Sequence, residues 1–155
     1  MNFLFAIAVL LAGLMVTCDA SAQAMVPPSG MDDAGKPMPM VERMNRRFPQ
    51  PVRVGDLIGL PVLDRSASTL GYVQQVVRGP AGQPKLIVSY SKWFGWLGWF
   101  TRPVAVPIEA TGIAGKQILS LDMPPGEYAT APTWQGQNAT ALPRDDTIQI
   151  ALGRN

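Results

Sequence analysis

The chain has 155 residues, of which 15 are Gly and 15 are Pro, with one Cys and no His. Without His there is no imidazole base, no Ser-His or Cys-His nucleophile and no His metal ligand. A net charge of +2, scattered along the chain, is no footprint for nucleic acid, and so much Gly and Pro favours short strands and turns over helices.

Phe3 to Val16 is an apolar run broken only by Gly13 and followed by small residues, Ala20-Ser21-Ala22-Gln23-Ala24. It falls short of the ~20 residues that span a bilayer and has the length and small-x-small ending of a secretory signal. Residues 1–24 are therefore expected to be a signal peptide cleaved after Ala24, leaving a periplasmic or secreted protein. Only the α-amino group of Met1 supplies positive charge ahead of the run, so an uncleaved N-terminal membrane anchor is the alternative. Cys18 lies inside this segment, which would leave the mature chain without thiol, disulfide or Cys-bound zinc chemistry. Lipid attachment at Cys18 is disfavoured because Thr17 precedes it, where Gly, Ala or Ser is usual.

Residues 25–50 carry Pro27, Pro28, Pro37, Pro39 and Pro49 with no sustained apolar period, the composition of a disordered arm with at most a helical turn around Met40 to Arg46. Five of the eight methionines fall here, and Met38-Pro39-Met40 has the spacing of a thioether site for Cu(I). Metal handling by this arm is thus an alternative function, set against the simpler reading of Met as an adaptable apolar residue.

From Val52 the chain becomes short β-type runs between turns. Leu57 to Leu63 precedes the polar loop Asp64-Arg65-Ser66-Ala67-Ser68, and Leu70 to Val77 follows it. Gly79-Pro80-Ala81-Gly82 is a turn. Lys85 to Ser91 alternates, with Leu86, Val88 and Tyr90 on one face. Val104, Val106 and Ile108 alternate again, and Gln117 to Leu121 is a further short run. With too little chain between neighbouring runs for crossover helices, this predicts an all-β fold, a small antiparallel barrel of five to six strands cored by Leu57, Val62, Val73, Leu86, Val88, Val104 and Val106. Asp122 is placed to N-cap a short helical turn carrying Pro124, Pro125 and Tyr128, with Trp134 packing it back. Residues 135–155 are then a polar linker and a last strand at Thr147 to Leu152, which either closes a barrel edge or awaits a partner's.

Three stretches resemble the PRC-barrel domain family, which includes the H subunit of the photosynthetic reaction centre and a ribosome maturation factor. Val54-Gly55-Asp56-Leu57-Ile58-Gly59-Leu60-Pro61-Val62 is similar to the family's opening strand and Leu70-Gly71-Tyr72-Val73-Gln74-Gln75-Val76-Val77 to its second. Phe94-Gly95-Trp96-Leu97-Gly98, leading into Arg102-Pro103-Val104-Ala105-Val106-Pro107, resembles its Gly-rich loop and following strand. The resemblance spans residues 51–134 and implies a binding or assembly module with no catalytic residues and no cofactor. Gln74-Gln75 stands where relatives often carry acids, so an acidic binding surface is not carried over.

Trp93, Phe94, Trp96, Trp99 and Phe100 place five aromatics in eight positions, flanked by Lys92 and Arg102. One tight turn cannot bury so many rings, and exposed rings beside cations mark a contact surface for an envelope protein or for a membrane face. Capping the open end of the barrel is the plainer role. The pair Asp145-Asp146, beside Arg144, reads as a solvated turn rather than an acid/base dyad. The function expected from sequence is a non-enzymatic, exported binding module of the cell envelope that docks through the aromatic loop.

Overall fold

The computed structural model describes residues 36–93, 99–136 and 138–153, and for Lys92, Trp93 and Trp99 it describes the backbone path alone. The expected signal segment and residues 25–35 lie outside the described residues, as do Phe94 to Gly98. No described helix is long and apolar enough to cross a membrane.

The protein is mostly β. Strands β1 (Gln50–Arg53), β2 (Pro61–Leu63), β3 (Thr69–Arg78), β4 (Pro84–Trp93), β5 (Trp99–Pro107), β6 (Thr111–Ala114), β7 (Gln117–Ser120), β8 (Thr140–Ala141) and β9 (Thr147–Leu152) join in one sheet. Its order is β1-β9-β6-β7-β2-β3-β4-β5, with β8 paired to the far end of β3. Helices are few and short: α1 (Met40–Arg46), α2 (Val54–Leu57), a 3-10 turn at Ile108–Ala110 and α3 (Pro125–Thr130).

Three expectations about the fold need correction. There are nine strands among the described residues rather than five or six, because β1, β6 and β8 are too short to show an alternation in sequence. The sheet is mixed rather than antiparallel: β2 runs parallel to β7 and β6 parallel to β9. No helical crossover is needed, since the meander β3–β5 itself carries the chain from β2 round towards β7, and the α3 and β8 segment carries it from β6 to β9. Finally, the end strands β1 and β5 are not paired with each other among the described residues, so hydrogen bonding leaves the sheet open. One apolar cluster nevertheless draws on both halves, from Ile148 and Ile150 of β9 to Val104 and Val106 of β5, so the sheet is rolled about it. The seven core residues expected from sequence all lie in that cluster, none more than 2% exposed.

Local chemistry explains the finer departures. The run Leu57 to Leu63 does not form one strand: α2 ends at Leu57, Leu60 N–H returns to the Leu57 carbonyl, and Gly59 takes φ 86°, so extended pairing starts only at Pro61. In β3 the register shifts against β2 near Leu70 and against β4 near Gln74. Each bulge resets the two-residue period, which lets Leu70, Val73 and Val76 all reach the core while Gln74 stays exposed and Gln75 half-buried.

Residues 36–50, from the second half of the expected arm, pack against the sheet and its connections. The helical turn at Met40–Arg46 is present, but Met38 beside it is buried, Arg43 and Arg47 both reach Asp122, and Leu152 N–H donates to the Arg47 carbonyl. Asp122 therefore does not cap α3, which starts behind Pro124 with no side-chain cap. Strand β9 forms where expected and pairs on both sides, with β1 and with β6.

Candidate functional site

Strands β4 and β5 pair without a register break from Lys85↔Pro107 to Trp93↔Trp99. The pairs Leu86↔Val106 and Val88↔Val104 are core. The next pair on that face, Tyr90↔Arg102, closes it. Tyr90 stacks on Tyr128 of α3 with ring centres 5.8 Å apart, and the Arg102 guanidinium lies 5.7 Å from the centre of the Tyr90 ring. Arg102 also donates to the carbonyls of Tyr128 (2.5 Å), Ala129 (2.7 Å) and Ala131, satisfying the end of α3. Trp134 N–H then donates to the Pro103 carbonyl at 2.8 Å, which covers part of the outer edge of β5.

The ladder runs three pairs past this closure, about 10 Å at strand rise. Of the five aromatic residues expected to form a contact surface, Phe100 lies in this overhang and is 57% exposed, and Trp93 and Trp99 are its last cross-strand pair. Phe94 and Trp96 lie outside the described residues.

Tyr128 is wholly buried, and its hydroxyl donates to Ser120 Oγ (3.0 Å), which donates to the Met123 carbonyl (2.6 Å). Burial pushes the phenol up to about 12, partly opposed by the Ser120 hydrogen bond. A neutral phenol tied into such a chain anchors α3 on the core. Asp145 and Asp146 are exposed, with Asp146 N–H turning back to the Pro143 carbonyl. Among the described residues no three His, Cys, Asp or Glu side chains converge.

A groove of about 750 Å³ lies elsewhere, between the end of α1, the β2–β3 loop and β7. Leu63, Leu119 and Leu121 line it together with Arg65, Phe48 and Leu152. Leu63 and Leu119 are buried yet stand outside the core cluster. Two glycines shape this floor: a Cβ on Gly112 would meet Leu121 Cδ1 at 2.8 Å, and one on Gly153 would meet Leu119 Cδ1 at the same distance. A smaller cavity of about 440 Å³, lined by Met123, Pro124 and Pro125, continues past Arg65. Arg65 donates to the Leu121 carbonyl at 2.6 Å, and both residues line both cavities. Asp64 fixes the loop by accepting from the Ser66 hydroxyl (2.7 Å) and from the N–H groups of Ser66 and Ser68 (2.8 Å each). The Ser66 hydroxyl bond, then the two backbone donors, outweigh burial and hold its carboxyl below the usual value. Sequence gave no sign of this groove. Its lining comes from four separated segments, of which only Asp64-Arg65-Ser66-Ala67-Ser68 was readable, as a polar loop.

No curated protein matches the chain. Residues 51–126 match the PRC-barrel domain, a stretch that runs from β1 to α3 and takes in both the β4–β5 hairpin and the β2–β3 loop, so the chain carries a PRC-barrel domain.

Proposed function

We propose that the protein is an exported, non-enzymatic binding and assembly module of the cell envelope, and that the tip of the β4–β5 hairpin is its docking surface. One observation carries this: the core closes at Tyr90, Arg102 and Tyr128, and the hairpin continues past that closure with Phe100 57% exposed. A large ring held outside a complete core by a regular ladder offers rigid contact area at small entropic cost. Export is supported by the apolar run Phe3 to Val16 and the Ala22-Gln23-Ala24 ending. The occupant favoured is an envelope protein, since the tip carries only Lys92 and Arg102 as cations and Arg102 is already engaged with α3. Copper handling is less favoured, because Met38, half of the Met-x-Met pair, is packed away.

Two measurements test the proposal. Replacing Trp96 and Trp99 together by Ser should leave the thermal midpoint within a few degrees while abolishing capture from a solubilised envelope extract by a photo-crosslinker at position 94. An unfolded double variant, or one that still captures, overturns it, and flotation of the wild type with lipid vesicles would identify a membrane face instead. For export, intact-mass analysis should find a species starting at Met25.

A further inference from the structure

We infer that the two-lobed groove under Arg65 is a second binding site, separate from the hairpin tip, which takes an extended acidic peptide segment with apolar residues on either side of a carboxylate. The charge on its walls points to an anion. Of the arginines there, Arg47 is committed to Asp122 through contacts of 2.7 and 3.1 Å. The Asp64 carboxylate keeps its charge, with Oδ1 held by three neutral donors of its own loop, so the lining of the larger lobe carries Arg46, Arg47 and Arg65 against one acid. Arg65 makes no ion pair among the described residues and uses its guanidinium on one neutral carbonyl, at an exposed position. Arg46 pairs with Glu42 among the described residues, at 3.6 Å with both side chains about half exposed. The groove therefore has an excess of positive charge, Arg65 is its arginine without an ion pair among the described residues, and a carboxylate matches the planar fork of Arg65 better than a neutral carbonyl does.

The shape adds the apolar half. Leu63, Leu119 and Leu152 line one lobe and Met123, Pro124 and Pro125 the other, with Arg65 lining both. A central acid at Arg65 thus places flanking side chains in lobes of about 750 and 440 Å³. Phe48 strengthens the case. It is 61% exposed at the groove and held at φ 53°, a conformation that bulky residues rarely adopt and that the surrounding structure must maintain. A leucine floor pressed onto Gly112 and Gly153 keeps the lobe open, where an added Cβ on either glycine would push the leucines upward.

The test uses the full chain immobilised and two pools of acetylated heptapeptides that differ only in the central residue, Asp or Lys, with apolar residues randomised on both sides. Retention of the Asp pool should exceed that of the Lys pool by at least about tenfold, the effect of one charge-assisted hydrogen bond. Arg65→Gln should abolish the preference, Arg65→Lys should keep part of it, and Phe48→Ser should weaken retention of the Asp pool with no change in thermal midpoint. The Trp96 and Trp99 double variant should retain the Asp pool as the wild type does, which separates this site from the hairpin tip. Equal retention of the two pools, or an unchanged preference in Arg65→Gln, overturns the inference. So does binding of laurate without binding of the Asp pool, which would make the groove an amphiphile site.

Discussion

Arg102 lies over the Tyr90 ring, its partner directly across the β4–β5 ladder, and from there its guanidinium reaches the carbonyl end of α3. One side chain thus joins the hairpin to α3. Only a planar fork can stack on a ring and serve several carbonyls together. Arg102→Lys should therefore lose about 2 kcal/mol of stability despite keeping the charge. In hydrogen exchange, the amides of Ala131 and Trp134 should lose protection first. A variant as stable as the wild type would show that α3 is held by Tyr128 alone.

The burial of Tyr128 has a pH signature. Its phenol is pushed up to about 12 in the folded chain against an ordinary value of 10.0. Below pH 10 the neutral phenol exists in both states and the group adds no pH dependence. Between pH 10 and about 12 the unfolded chain ionises while the folded chain does not, so stability falls as pH rises, by about 2–3 kcal/mol in all. Tyr128→Phe should cost about 1 kcal/mol at pH 7, the worth of the hydrogen bond to Ser120. Above pH 10 the difference from wild type should shrink and then reverse, which urea denaturation at pH 7, 10 and 11.5 would check.

Where side-chain pattern decides structure, the sequence was informative. Leu86, Val88 and Tyr90 alternate and are core, Thr147 to Leu152 alternates and is β9, and all seven expected core residues are buried. Illegible features share a different cause, since they depend on which distant segments meet. Parallel pairing of β2 with β7 leaves no mark in either strand, as two residue pairs carry no direction. The helical propensity of Met40 to Arg46 was visible, but its docking was not, because what binds it is one carboxylate 75 residues downstream of Arg47. The aromatic cluster of the candidate site could be read from its density alone. The groove could not, since Phe48, Arg65, Leu119 and Leu152 are unremarkable until the sheet order brings them together.

Gly71 shows why one family-like motif must keep its glycine. A Cβ there would stand 2.1 Å from the Ser89 carbonyl oxygen, which is backbone and itself part of the β3–β4 ladder. Neither strand can move without opening that ladder. Gly71→Ala should lower stability by about 3 kcal/mol, at the upper end of overpacking costs. Gly126→Ala is the control, since its Cβ would meet nothing within 4 Å, and it should be neutral or slightly stabilising. Similar midpoints for the two variants in thermal denaturation would show that β3 and β4 are less closely apposed than 2.1 Å implies.

The latch between Asp122 and α1 separates a docked helix from a loose tether. Asp122 is 3% exposed in its side chain and takes Arg47 at 2.7 Å and Arg43 at 3.2 Å, each about one-fifth exposed. Arg43 Nε is buried without a hydrogen-bond partner, so α1 docks at a real desolvation cost that the Asp122 charge offsets. Removing that charge strands two half-buried guanidiniums, and Asp122→Asn should destabilise the fold by about 2–3 kcal/mol, the low end for a broken pair because water still reaches both arginines. The first consequence should be local. Arg43, Arg46 and Arg47 are trypsin sites in or just after α1, and release of the helix should speed cleavage there well before cleavage elsewhere. Arg47→Ala should have a similar effect, and the double variant should lose less than the two single losses added, as expected for residues in direct contact. Unchanged tryptic cleavage and an unchanged midpoint in Asp122→Asn would return residues 36–50 to the role of a tether.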